Sequence, residues 1–196
     1  MNPFNDNVLK ETFYSISNPI TMNPNSDESY TINGFITNAT LSPNSSYHLH
    51  SLDTFNRGDY FTIDGQSFYM VTGDVVMMRG SKYKSTADYC NSQIPIIETV
   101  REITGFDDFG RPIYGNVEKI VGNNYGIVRH KQLTVDDGSV LIVANSELVL
   151  TLRDNTQNRA SYSVNSVIVY EGISWKVREI VYTKKGLLEY RLQSTT

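Results

Sequence analysis

Few residues in this chain are of a kind and spacing that could do chemistry. There are three histidines, one cysteine and a few adjoining carboxylates, among them Asp107-Asp108. His48 and His50 are two apart, so on a strand they would share a face. Such a pair could begin a metal site, but zinc asks for a third and a fourth ligand. Neither His130 nor Cys90 stands in a ligand spacing with the pair. Cys90 carries no local signature of a nucleophile and reads as a small buried or half-buried thiol. Asp107-Asp108, in the stretch GFDDFGRP, departs from calcium-loop spacing and reads as turn chemistry. The run from Gly122 to Gly126 is glycine-rich but leads into a strand, not into a helix whose N-terminus could hold a phosphate. No nucleophile elbow, phosphate loop or dinucleotide fingerprint occurs in the sequence. The residues therefore point to no reaction, no metal and no cofactor, and the expectation is a protein that is not an enzyme.

The elements that would position any site are strands. Thirteen tyrosines and eight phenylalanines, with many Val, Ile and Thr, favour strand over helix. The single cysteine rules out an internal disulfide. The longest apolar runs, such as Val140 to Ala144, are too short to span a bilayer, and the first fifteen residues carry no apolar signal region, so no membrane partner is expected. Net charge is −4: residues 1–95 hold 5 basic against 9 acidic residues, and residues 96–196 hold 12 of each. Neither half has the basic excess that dedicated phosphate binding needs.

Along the chain, residues 1–56 are rich in Asn, Ser and Thr and read as an N-terminal arm with irregular strands and a short helix near Asn7–Ile16. Residues 57–95 read as a first β-hairpin module. Residues 96–196 read as a long hairpin around GFDDFGRP followed by a second β-module; residues 57–196 could also be one composite β domain. Turn signals at Asp137-Gly138, Asn155-Thr156, Glu171-Gly172 and Lys185-Gly186 punctuate the second half. The fold expected is mainly β, built of β-barrel or β-sandwich modules.

Two hairpins invite comparison. GDYFTIDGQSFYMV starts at Gly58 and NSVIVYEGISWKVR at Asn165, and an offset of 107 residues aligns Gly58–Thr86 with Asn165–Gln193 without a gap. Gly65 meets Gly172, Ser67 meets Ser174, Tyr83 meets Tyr190, Phe68 meets Trp175 and Met70 meets Val177. The shared order of strand, acidic-Gly turn, aromatic and alternating strand supports an internal duplication of a hairpin unit. The competing reading is that any two amphipathic hairpins look alike. Gly65 and Gly172 are expected in turns with positive φ. Phe68, Trp175 and Val177 are expected in a core, since Lys176 and Arg178 take the opposite face of their strand.

The pattern in RGDYFTIDGQSFYMV…YKSTADYCN, carried by Ile63, Asp64, Gly65, Tyr69, Val71, Cys90 and Asn91, resembles that of the head-closure, or stopper, proteins of the tailed-bacteriophage neck. The later stretch from Lys131 to Ile180 resembles the second part of that family, although Ser166-Val167-Ile168 replaces its usual basic-aromatic start. The resemblance covers roughly residues 56–193. It implies small β-barrel or β-sandwich modules that self-assemble in the host cytoplasm into a ring, expected to be dodecameric, in the virion neck between capsid and tail. The implied neighbours are a portal or adaptor protein on one side and a tail terminator or tail tube protein on the other. Packaged DNA would be held in the channel without sequence-specific binding, and a mildly acidic wall suits a conduit that DNA must pass without sticking. Other tail components and a carbohydrate- or ligand-binding β-module are the alternatives.

Overall fold

The computed structural model describes residues 6–39, 46–78, 81–130 and 147–195. The Asp137-Gly138 turn signal falls outside them. Helix α1 (Asp6–Ile16) is followed by seven strands: β1 (Asn18–Met22), β2 (Tyr30–Asn38), β3 (Tyr47–Ser51), β4 (Tyr60–Thr62), β5 (Phe68–Val71), β6 (Val76–Met78) and β7 (Lys82–Tyr89). The second half holds β8 (Ser92–Phe106), β9 (Pro112–His130), β10 (Glu147–Arg153), helix α2 (Thr156–Ser161), β11 (Val167–Tyr170), β12 (Ile173–Val181) and β13 (Leu187–Ser194). The protein is mainly β, as the strand-favouring composition predicts. Among the described residues no helix is long and apolar enough to cross a membrane.

The first sheet runs β3-β2-β1-β4-β5-β7 and closes because β7 also pairs with β3, from Tyr47 opposite Ala87 to Ser51 opposite Tyr83. Short β6 is added to the far part of β7. Ile20, Met22, Ile32, Leu49, Phe61, Val71 and Ala87 fill this barrel. The second sheet runs β11-β12-β13-β10-β9-β8, and β11 comes up against β8 without a ladder. Its interior holds Leu148, Leu150, Leu152, Trp175, Val177, Leu188 and Tyr190. Alternate residues point in, so the period-2 pattern of the sequence is the pattern of the two cores.

Taken in chain order, the six ring strands of each barrel occupy the same places. The first and fourth strands meet at the weakest seam in both, a single pair of Met22 opposite Phe61 in one and an unpaired approach in the other. The likeness of the two halves thus extends beyond a hairpin to a whole six-stranded topology.

The gapless residue match does not survive. In the first hairpin Thr62 pairs with Phe68, leaving five residues in the turn, whereas Tyr170 pairs with Ile173 and leaves only Glu171-Gly172. The partner of Phe61 is Tyr69, and the partner of the equivalent Ile168 is Trp175. Trp175 therefore corresponds to Tyr69, not to Phe68. A shift of one residue turns a strand's whole apolar set to the other face. Phe68 and Met70 accordingly point out of their barrel, while Trp175 and Val177 point into theirs.

Gly65 has φ +78° and Gly172 has φ +76°. The latter follows Glu171 at φ 50°, so both turn residues are left-handed, as the tightest hairpin turns require. The wider first turn is tied by Asp64, whose carboxylate accepts from the Gln66 and Ser67 amides and the Ser67 hydroxyl. These bonds hold its carboxyl down at about 2.

Within the N-terminal segment, β1, β2 and β3 are strands of the first barrel. Their polar composition is that of outward positions on strands only 5 to 9 residues long, and four inward residues, Ile20, Met22, Ile32 and Leu49, carry their core contribution. Helix α1 lies outside the barrel and is held by Phe13 against Phe35 with ring centroids 5.0 Å apart. Helix α2 arises where the sequence suggested a turn: Asn155 caps it by accepting from the Asn158 amide.

Trp175→Ala is expected to cost about 3–5 kcal/mol in denaturant unfolding, the usual loss for emptying a core aromatic site. The native tryptophan should emit as a buried indole, shielded from iodide.

Candidate functional site

The two barrels meet at an apolar joint. Phe68, Met70 and Cys90 of the first pack on Ile127 and Leu187 of the second, with Tyr60 and Tyr125 at the side. Phe68 and Tyr125 stack with centroids 3.6 Å apart. The outward turn of β5 supplies this face. Burial pushes the Cys90 thiol up to about 12, helped by Asp88, so it is a packing group and not a nucleophile at neutral pH. Next to it Asn91 acts as a substitute strand, donating to the Val128 carbonyl and accepting from the Val128 amide. The Cys90-Asn91 pair that carries part of the sequence motif is thus the seam between barrels.

A polar clasp lies beside the apolar joint. Asp59 is 1% exposed. Its carboxylate accepts from Asn23 Nδ2 at 2.9 Å, the Tyr30 hydroxyl at 2.5 Å and the Asn56 amide at 2.8 Å, and pairs with Arg153 of the second barrel at 3.2 Å. Arg153 also reaches Glu28 at 2.6 Å. Burial raises the Tyr30 phenol well above its ordinary value, and the hydrogen bond to Asp59 adds to it. Two glycines complete the contact. Gly58 and Gly186, both with positive φ, lie so close that a Cβ on Gly58 would collide with the Gly186 carbonyl and one on Gly186 with the Arg57 carbonyl. Gly58, Asp59, Arg153 and Gly186 carry no sequence signal beyond turn composition; their partners are about a hundred residues away.

Above the clasp a cleft of about 990 Å³ opens between the β1–β2 turn, α2 and the base of the β8–β9 hairpin. Its walls mix amides and hydroxyls such as Asn25, Asn123, Asn124, Gln157 and Thr156 with the charged Glu28, Glu98 and Arg153 and apolar surface, with Tyr60 and Tyr125 at the joint side.

The β8–β9 hairpin continues past the barrel. At its base the ladder slips between Ile96 and Ile97, leaving Val121 as an extra residue that re-aims the pair. From residue 97 to residue 106 the ribbon is two-stranded and stands roughly 30 Å beyond the rim at the usual strand rise. Its tip is ordered: Asp107 accepts from the Phe109 and Arg111 amides, and Gly110 takes a positive φ. Asp107 thus does turn work, and Phe106 and Phe109 are displayed at 67% and 86% exposure.

The structure also places the remaining candidates. His48 and His50 share the outer face of β3, with ring centroids 6.3 Å apart. Among the described residues no third His, Cys, Asp or Glu joins them. His50 is covered instead, stacked on Phe35 at 4.7 Å. Burial, with Lys82 and Lys84 nearby, lowers its pKa from 6.5 to about 4. Gly122 to Gly126 is strand, as its position before β-pattern residues predicts.

Asp59→Ala leaves Arg153 without its buried partner and is expected to cost about 3–5 kcal/mol, read as a lower denaturant midpoint. His50 yields a pH prediction. Its folded pKa lies below its unfolded one, so the unfolded chain takes up the proton first as pH falls. Stability should decline from about pH 6.5 to about pH 4. His50→Phe should flatten that part of the acid limb in a series of melts.

The comparison with curated proteins and the comparison with solved structures return no match. A family model does match: that of the YomX C-terminal domain, over residues 20–193. The matched span begins in β1 and ends in β13, so it takes in both barrels, their joint and the projecting hairpin. The chain belongs to the YomX C-terminal domain family, a phage-associated family.

Proposed function

We propose that this chain is a structural virion protein, a subunit of a homo-oligomeric ring in the neck between capsid and tail. The observation that carries the reading is mechanical. Two closed or nearly closed barrels are fused through a buried, charge-clasped joint into one block, and a two-stranded arm stands away from that block. A lone two-stranded ribbon is at best marginally stable in water, so an arm of this length is suited to bearing on a neighbour. The phage-associated family and the motif around Cys90-Asn91 support the same role. The ring would sit between a portal or adaptor protein and a tail terminator or tail tube protein, after assembly in the host cytoplasm. Its net charge of −4 suits a channel through which DNA passes without adhering. The role is to build and seal, not to catalyse.

A second reading, a carbohydrate- or ligand-binding β-module, draws on the amides in the cleft beside Tyr60 and Tyr125. Titration with neutral oligosaccharides such as maltohexaose, followed by amide chemical shifts of Asn123 and Asn124, tests it directly.

A phage with a stop codon early in this reading frame tests the main reading. Filled heads and separate tails are expected, with joined particles restored by the protein supplied in trans. Normal tailed particles lacking the protein would overturn the neck assignment, and its detection elsewhere in the tail would move it to another tail component. In the free subunit, limited trypsin should cut at Lys10 in the thinly held α1. The assembled ring should protect the same site.

A further inference from the structure

We infer that the arm of one copy docks its acidic, aromatic tip on the open β6 edge of a second copy. The inference rests on the reading of the chain as a ring subunit and names the surfaces that would join the copies.

The tip is preorganised to bind. Phe106 and Phe109 flank Asp107 and Asp108 on a turn whose backbone is already bonded, so little order is lost on docking. Asp107 is occupied in that turn, and Asp108 is exposed beside it. The receiving surface is of complementary character. Among the described residues β6 pairs with β7 on one side only, and Val76, Met77 and Met78 are 51%, 61% and 44% exposed along it. An apolar edge strand left uncovered is a ready template for another strand or an apolar knob. Methionines adapt to the aromatic that meets them. Lys82 and Lys84 stand directly opposite Met78 and Val76 and make no ion pair among the described residues. Acid beside aromatic on one surface thus faces base beside aliphatic on the other.

Both surfaces belong to one chain but do not meet within it, as the exposure of Phe109 and Met77 shows. The tip is on the second barrel and the edge on the first. Contact between copies is therefore heterologous, and repetition of it closes a ring when the rotation allows.

The test uses full-length chains. Phe109→Cys in one chain and Met77→Cys in another should form a mixed disulfide dimer under mild oxidation, at the highest soluble concentration and in purified particles; Cys90 is buried and takes no part. Asp108→Lys and Lys82→Asp should each weaken self-association by roughly tenfold or more in sedimentation, since like charges then face each other. An equimolar mixture of the two should associate again, because both mixed contacts pair opposite charges. Unchanged circular dichroism of each variant controls for folding. Tip-to-tip dimers as the sole product, no mixed disulfide in either setting, or association indifferent to both charge reversals would overturn the assignment. If the protein is found in the neck while the disulfide never forms there, this docking surface fails and the ring reading stands. If it is absent from the neck, that reading fails by itself.

Discussion

The Asp59 carboxylate, removed from water and shared between the barrels, is the constraint on which the rest of the structure depends. Once buried, it must be met by donors, and those donors come from Asn23, Tyr30 and Asn56 of its own barrel and from Arg153 of the other. A buried ion pair of this kind is no assurance of net stability, because desolvation takes back much of the attraction. It does penalise every other docking of the two barrels, each of which would strand a charge. The Gly58–Gly186 approach works in the same direction: two backbones so close leave one arrangement in which neither chain collides. Apolar packing of Phe68, Met70, Ile127 and Leu187 makes the joint favourable, and the clasp and the glycines make it specific.

That apolar face exists because the two repeats are not in phase. Both barrels have the same strand order, yet the five-residue turn after β4 and the two-residue turn after β11 set the following strands one residue apart. In the second barrel the large aromatic, Trp175, goes inside. In the first, Tyr69 takes the inner place and Phe68 is turned outward to meet Tyr125. A difference in turn length thus gives one of two barrels of like topology an external apolar face. Without that parity change the tandem would be two barrels on a string.

The arm is the counterpart of the joint. β8 and β9 take part in the second barrel only near their outer ends and then continue as an unsupported ribbon. A slipped register at Ile96 and Ile97 releases the ribbon from the barrel's curvature, and an Asp107-capped turn finishes it. A rigid block with a projecting ribbon is what the proposed connector role would use to transmit position from one neighbour to the next.

Much of this was legible in the sequence. Period-2 alternation and acidic-Gly turns identify the strands, the positive-φ glycines at 65 and 172 and the long hairpin around GFDDFGRP, because these are properties of a few consecutive residues. Even α1 is visible near Asn7–Ile16. The inward places of Trp175 and Val177 also follow from alternation with Lys176 and Arg178. Three things were not legible. That β1, β2 and β3 are full members of a barrel hides behind their polar outward positions, since a short strand needs only one or two inward apolar residues. The phase between repeats is invisible to a gapless alignment, because register is decided by cross-strand pairing, and turn length can shift it without changing the look of either strand. The joint of Gly58, Asp59, Arg153 and Gly186 depends on residues about a hundred positions apart. Sequence alone determined the strands and their turns, which are local energetics; only the tertiary structure decided which face each strand turns inward and where the barrels meet, because burial, desolvation and collision are settled between partners that the chain brings together last.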